Sequence, residues 1–218
     1  TFEASCIMGA TILMDFHEDS YALMNDANYT SELAVTTAAS LANAVYQTGQ
    51  QIGFMTTARD AADRIKEEGW KHEFLNRDAA RNELAETTES DRLRPVIVET
   101  RRGADQFLRI LESLARAELT DGLTFPQLID EISPNLSRDA TVIAIIRDAP
   151  IEHAIALGSL RRRGYTVTAI VILSEHENLP DWAAPPEWAL RLLAEGIEFR
   201  HVSEELEIAQ ICAEQLMV

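Results

Sequence analysis

The sequence predicts a three-layer α/β/α sandwich on a doubly wound, mostly parallel sheet, and three observations carry that expectation. Strand-type and helix-type stretches alternate along the chain, a pattern that puts helices on both faces of a parallel sheet. Two stretches, residues 10–14 (ATILM) and 141–146 (TVIAII), are continuous apolar runs of the kind buried on both faces. Each run is followed by a carboxylate, Asp15 in one case and Asp148 in the other, at the strand end where open α/β sheets build their ligand crevices.

After the first strand comes the acidic turn Asp15, Phe16, His17, Glu18, Asp19. A helix is predicted over 30–48, with Ala34, Ala38, Leu41 and Val45 on one face and Gly49 as its stop. Residues 51–56 read as the second strand. The charged stretch 59–94 reads as an excursion over the surface, with helical character at 61–68 and 78–86 but little core-forming pattern. The run 95–100 (PVIVET) suits an edge strand, because proline at its start lacks an amide donor.

A helix over 103–117 follows, with Phe107, Ile110, Leu111 and Leu114 at helical spacing. The turn Thr120, Asp121, Gly122 leads into a helix over 125–132, and 135–139 is a polar turn before the most apolar strand. Pro150 occupies a first helical position, and that helix runs to Arg163 with Gly164 beyond it. Arg161, Arg162 and Arg163 in its last turn complement the helix dipole rather than form a phosphate patch. A strand over 167–173, a proline-rich loop over 179–186 carrying Trp182, a helix over 187–195 and a strand over 197–201 come next. Ser203, Glu204 and Glu205 open the last helix.

The 218 residues suit one domain, residues 1–218, and 46% apolar content supplies its core. Asp and Glu outnumber Lys and Arg by 36 to 19, a net charge of −17. Such a field repels nucleic acid and anionic lipid, while basic protein partners and cations remain compatible with it. Cys6 and Cys212 form no CxxC pair, which fits a reducing cytoplasm. His17, His72, His153, His176 and His201 are scattered without HExxH spacing, and most of them read as ordinary surface or structural histidines. No apolar stretch has transmembrane length and no signal segment is visible, so no membrane contact is expected of this segment. Because the chain begins with Thr1, it is expected to be cut from a longer protein. The glycine patterns of dinucleotide and P-loop sites are absent, as is a GxSxG elbow.

In the strand order 3-2-1-4-5-6 the first and fourth strands are neighbours, so Asp15 and Asp148 are expected to face one crevice. The loop with Thr120, Asp121 and Thr124 would form its third wall. Oxygen ligands converging from three loops suit a hard cation such as magnesium. The alternative is that Asp15, Asp19 and Asp148 simply cap turns and helix N-termini.

A family resemblance adds to this. Asp15 after the first strand, Glu32-Leu33-Ala34-Val35 leading to Ala38-Ala39-Ser40-Leu41-Ala42, and Gly49-Gln50-Gln51-Ile52-Gly53-Phe54 resemble the C-terminal part of domain-of-unknown-function family 58. This is a von Willebrand factor A-like family often encoded beside MoxR-type AAA+ ATPases. Thr1-Phe2-Glu3, Arg102-Gly103-Ala104 with Phe107, Ile110, Leu111, Leu114 and Ala115, and Leu160-Arg161-Arg162 with Gly164, Tyr165 and Val167 add to the resemblance. It implies a von Willebrand factor A-like fold and a metal-ion-dependent adhesion site of pattern DxSxS. That pattern falls on Asp15, His17 and Asp19, its threonine on Thr120 or Thr124, and its later aspartate on Asp148. Both serines are replaced. Imidazole is bulkier and softer than hydroxyl, so the site is expected to be degenerate and to need no cofactor. Should a magnesium ion bind, Asp15, Asp19 and Asp148 are its expected ligands. His17 could instead pair with Asp19 or Asp148 and supply an internal positive charge.

The resemblance implies a noncatalytic interaction module, with no catalytic residue, that works with a MoxR-type AAA+ ATPase in assembling or remodelling other proteins. It also implies a cytoplasmic position, anchored through upstream membrane segments not included in this chain. The competing expectation is a haloacid dehalogenase-like, magnesium-dependent phosphatase using Asp15 as nucleophile. Its DxDx pattern is poorly met, since His17 stands where the second acid belongs.

Overall fold

The computed structural model describes residues 9–21, 27–68, 93–174 and 185–215. In chain order the elements are β1 (Gly9–Met14), α1 (Glu18–Tyr21), α2 (Ala27–Gln47), β2 (Gln51–Thr56), β3 (Arg59–Asp60), α3 (Ala61–Glu68), β4 (Val96–Arg101) and α4 (Ala104–Ala115). Next along the chain are β5 (Ala117–Glu118), α5 (Phe125–Ile132), a 3-10 turn (Ser133–Asn135), β6 (Thr141–Ile146), α6 (Ile151–Arg162), β7 (Val167–Ile172), α7 (Glu187–Ala194), β8 (Glu198–Val202) and α8 (Glu205–Gln215).

Six strands form the central sheet in the order β4-β2-β1-β6-β7-β8. All neighbours are parallel except β4, which runs antiparallel to β2 at the edge. Counting only these six strands, this is the doubly wound order expected from the alternation, and it seats the two apolar, acid-tipped strands β1 and β6 side by side at the switch point. The edge position suits β4, whose Pro95 lies just before the strand and whose residues alternate between half-buried and exposed. Gly53 lets β4 approach. A Cβ there would collide with the Thr100 hydroxyl, beside the register shift between Ile52 and Phe54.

Strand pleating sorts the core into two layers. Ile12, Met14, Ile143, Ile145 and Ile170 pack with Leu33, Leu41, Ile110 and Ile208 of α2, α4 and α8. Leu13, Val142, Ala144, Ile146 and Val171 pack with Phe125, Leu128, Leu157 and Leu192 of α5, α6 and α7. Helices therefore cover both faces. The longest, α2, buries Leu33, Ala34, Thr37, Ala38, Leu41 and Val45 along one stripe. It stops where Gly49 takes φ 71° and its amide reaches the Tyr46 carbonyl at 2.9 Å.

Some boundaries differ from the sequence expectation. Helix α2 starts at Ala27, and α4 ends at Ala115 because Ala117–Glu118 is drawn into β5. The start of the charged excursion is stapled down: β3 pairs with β5, Arg64 makes two bonds to the Glu118 carboxylate at 2.5 and 2.8 Å, and Arg116 reaches Asp60 at 3.1 Å. A two-residue strand has no period for a sequence pattern to show. The expected helix at 78–86 and the Trp182 part of the proline-rich loop lie outside the described residues. No described helix is long and apolar enough to cross a membrane.

Candidate functional site

At the carboxyl ends of β1 and β6 a cavity of about 510 Å3 opens, within the range of small-molecule and side-chain pockets. Its walls come from α1 (Asp19, Ser20), the start of α5 (Thr124, Phe125), the turn after β6 (Arg147, Asp148, Pro150) and α6 (His153). His17, Leu173 and Trp188 complete them. Asp15 is not part of the lining.

The two strand-end carboxylates have opposite surroundings. The Asp15 amide bonds the Ile145 carbonyl at 2.9 Å, which fixes it beside β6, and its side chain is fully buried. Ser20 Oγ donates to its Oδ2 at 2.6 Å, the His17 amide donates to its Oδ1 at 3.2 Å, and the Thr57 hydroxyl stands 3.5 Å from Oδ1. The Tyr21 hydroxyl donates to the Asp15 carbonyl at 3.0 Å. Burial, and then the neighbouring Asp15 charge, raise the Tyr21 phenol well above its ordinary value, so it stays a neutral donor. Donors placed in this way satisfy the oxygens of a carboxylate taken out of water. Asp148, by contrast, is exposed, and its Oδ1 accepts the Ala149 amide at 2.7 Å.

His153 links the two corners. Its Nδ1 stands 3.9 Å from Asp15 Oδ2, beyond hydrogen-bond range, and is buried without a partner. Burial pushes its pKa down, against the opposing pull of the Asp15 carboxylate. The ring leans on Phe125 with centroids 5.1 Å apart. The expected His17–Asp19 charge pair takes a different form: His17 Nδ1 accepts the Asp19 amide at 3.3 Å, and Asp19 Oδ2 lies 3.8 Å away. A nitrogen that accepts that amide carries no proton to share with the carboxylate.

The loop expected as the third wall splits in two. Thr120 is buried behind the site, bridged to His17, with its carbonyl accepting the Glu18 amide at 2.9 Å and its hydroxyl accepting the Gly122 amide at 3.2 Å. Asp121 is exposed and does not line this cavity. Thr124 does reach the cavity, as the N-cap of α5, with its amide and hydroxyl both donating to Gln127 Oε1 at 3.0 Å.

These residues do not fit a hard-cation site. The Asp15 oxygens and the two threonine hydroxyls are engaged in bonds within the chain, and the Arg147 guanidinium, a permanent cation, lines the same cavity. Among the described residues, no three His, Cys, Asp or Glu side chains are grouped to hold a metal.

Sequence reasoning missed Ser20, Thr57, Arg147 and His153. Ser20 sits one position past the expected motif, and only the turn of α1 swings it back to Asp15. Thr57 arrives from the end of β2, which parallel pairing sets against β1, and its hydroxyl also accepts the Phe16 amide at 2.7 Å. Nothing in the spacing marks His153.

No family model matches the chain. No curated protein matches it. Solved structures share its fold. The pilus adhesin SpaC from Lactobacillus rhamnosus GG aligns over 97% of this chain and 30% of its own, with TM-score 0.58 and 9% identity. The open conformation of that adhesin gives TM-score 0.55 at 10% identity over the same shares. Proximal thread matrix protein 1 from the mussel byssus aligns over 97% of this chain and 48% of its own, with TM-score 0.52 and 12% identity. The chain thus spans less than half the length of these solved chains, and at such identities the likeness is one of fold.

Proposed function

We propose that this chain is a noncatalytic, von Willebrand factor A-like docking module with a degenerate adhesion site. It would partner a MoxR-type AAA+ ATPase on the cytoplasmic side in the assembly or remodelling of other proteins. The strand order with its antiparallel edge and the cavity at the carboxyl ends of β1 and β6 support the fold-level part of this reading. The ATPase partnership rests on the sequence resemblance.

The observation that carries the noncatalytic reading is the state of Asp15. A nucleophilic aspartate must reach its substrate, yet this carboxylate is fully buried behind the cavity wall and held by Ser20 and the His17 amide. The phosphatase alternative also needs a second acid for proton transfer, and His17 stands in its place.

Two measurements test the proposal. Co-purification of the intact protein from its own cell is expected to bring down an AAA+ ATPase, and its absence would sink the partnership. Assay with aryl phosphates and magnesium is expected to give no turnover. Turnover abolished by Asp15→Asn would replace the proposal with the phosphatase.

A further inference from the structure

We propose that the cavity and the adjoining outer face of α6 dock a basic, amphipathic segment of a partner protein, with a lysine or arginine side chain entering the cavity between Asp19 and Asp148. This rests on the docking-module reading above and names the chemistry of the partner.

Charge sets the class of partner. Both lining carboxylates are exposed, that of Asp19 by 85%, whereas the lining guanidinium of Arg147 is 7% exposed and donates to the Ile172 carbonyl at 3.0 Å. The cation belongs to the wall and the anions to the mouth. Exposed Glu18 and Glu152, each within two residues of a lining residue, add to the acidic surround, and the net charge of −17 steers a basic segment toward it.

The walls suit the rest of such a side chain. Pro150, Leu173 and Trp188 line the cavity and give apolar surface for an aliphatic stem. His153 stands in the same wall, its ring against Phe125 with centroids 5.1 Å apart. Next to Pro150, Ile151 and Ile155 lie one turn apart on α6 and are 55% and 48% exposed. Two large apolar side chains at that spacing match the apolar stripe of a docking helix.

The test is fluorescence anisotropy of a labelled synthetic helical peptide, with lysines on one face and leucines on the other, beside the same peptide with its lysines replaced by glutamates. The basic peptide is expected to bind one-to-one and to weaken by about tenfold or more as salt rises from about 0.05 to about 0.5 M. Asp19→Lys with Asp148→Lys is expected to weaken it by about tenfold or more, and Ile155→Glu to weaken it as well. Asp139→Lys with Glu198→Lys reverses two acids at the opposite, amino ends of β6 and β8 and is expected to leave affinity unchanged. Circular dichroism melting checks that each variant is folded.

Equal binding of the acidic peptide, no binding of the basic one, or equal losses from the two charge-reversed pairs would overturn the proposal. Self-association abolished by the Asp19 and Asp148 reversals, without peptide binding, would assign the face to a second copy of the chain and overturn it too. Co-purification of an ATPase with no peptide binding defeats this inference alone. Peptide binding with no ATPase defeats only the partnership.

Discussion

Asp15 and Asp148 cap two apolar strands that lie side by side, yet one carboxylate is an internal strut and the other a surface acid. The difference lies in the turn that each strand enters. After Asp15 the chain bends at once into α1, which folds Ser20 and Tyr21 back over the strand end, while Thr57 closes in from β2. After Asp148 the chain leaves through Ala149 and Pro150, and the carboxylate stays exposed, accepting the adjacent Ala149 amide. Equivalent strand-end positions thus carry different physics, set by the neighbours that the turn recruits.

Substitutions at the two corners should separate them. The largest effect is expected for Asp15→Ala, which strands the Ser20 hydroxyl and the His17 amide in a dry corner and opens a void. We expect a loss of about 4 kcal/mol, measured by denaturant unfolding, and a change below about 1 kcal/mol would mean the corner is wetter than described. Ser20→Ala removes one donor to a buried charge and is expected to cost about 2 kcal/mol in the same measurement.

His153 sharpens the comparison through pH. Its pKa is lowered in the folded state, so the unfolded chain takes up the proton more readily. Its contribution is fully present above the ordinary histidine value of 6.5 and is lost as pH falls below that toward the folded value. His153→Gln should therefore show a smaller fall in melting temperature between about pH 7.5 and 5.5 than the unsubstituted protein. A larger fall would mean that the Asp15 charge outweighs burial. The smallest effect is expected at the exposed corner, where Asp148→Asn should leave the unfolding midpoint where it was. A clear drop there would show that Asp148 is as structural as Asp15.

Much of the fold was legible in the chain. Residues 141–146, 125–132, 51–56 and 61–68 adopt the elements their patterns predict, with those boundaries. Their apolar spacing and flanking signals are local, and locality is what a sequence pattern records. The short pairing of β3 with β5 and the turn of α1 were not legible, since two to four residues carry no period. Of the candidate site, His17, Asp19, Thr124 and Asp148 line the cavity, whereas Asp15, Thr120 and Asp121 do not.

By itself the sequence determined the alternation of strands and helices, hence the two-faced sheet, and the placing of acids after two of its apolar strands. The tertiary structure alone decided which acid became internal. A carboxylate in a buried corner depends on donors delivered from residues 5 and 42 positions away, and no local pattern encodes that convergence. Burial is a property of what the rest of the chain stacks against a side chain, so it exists only once the layers have met.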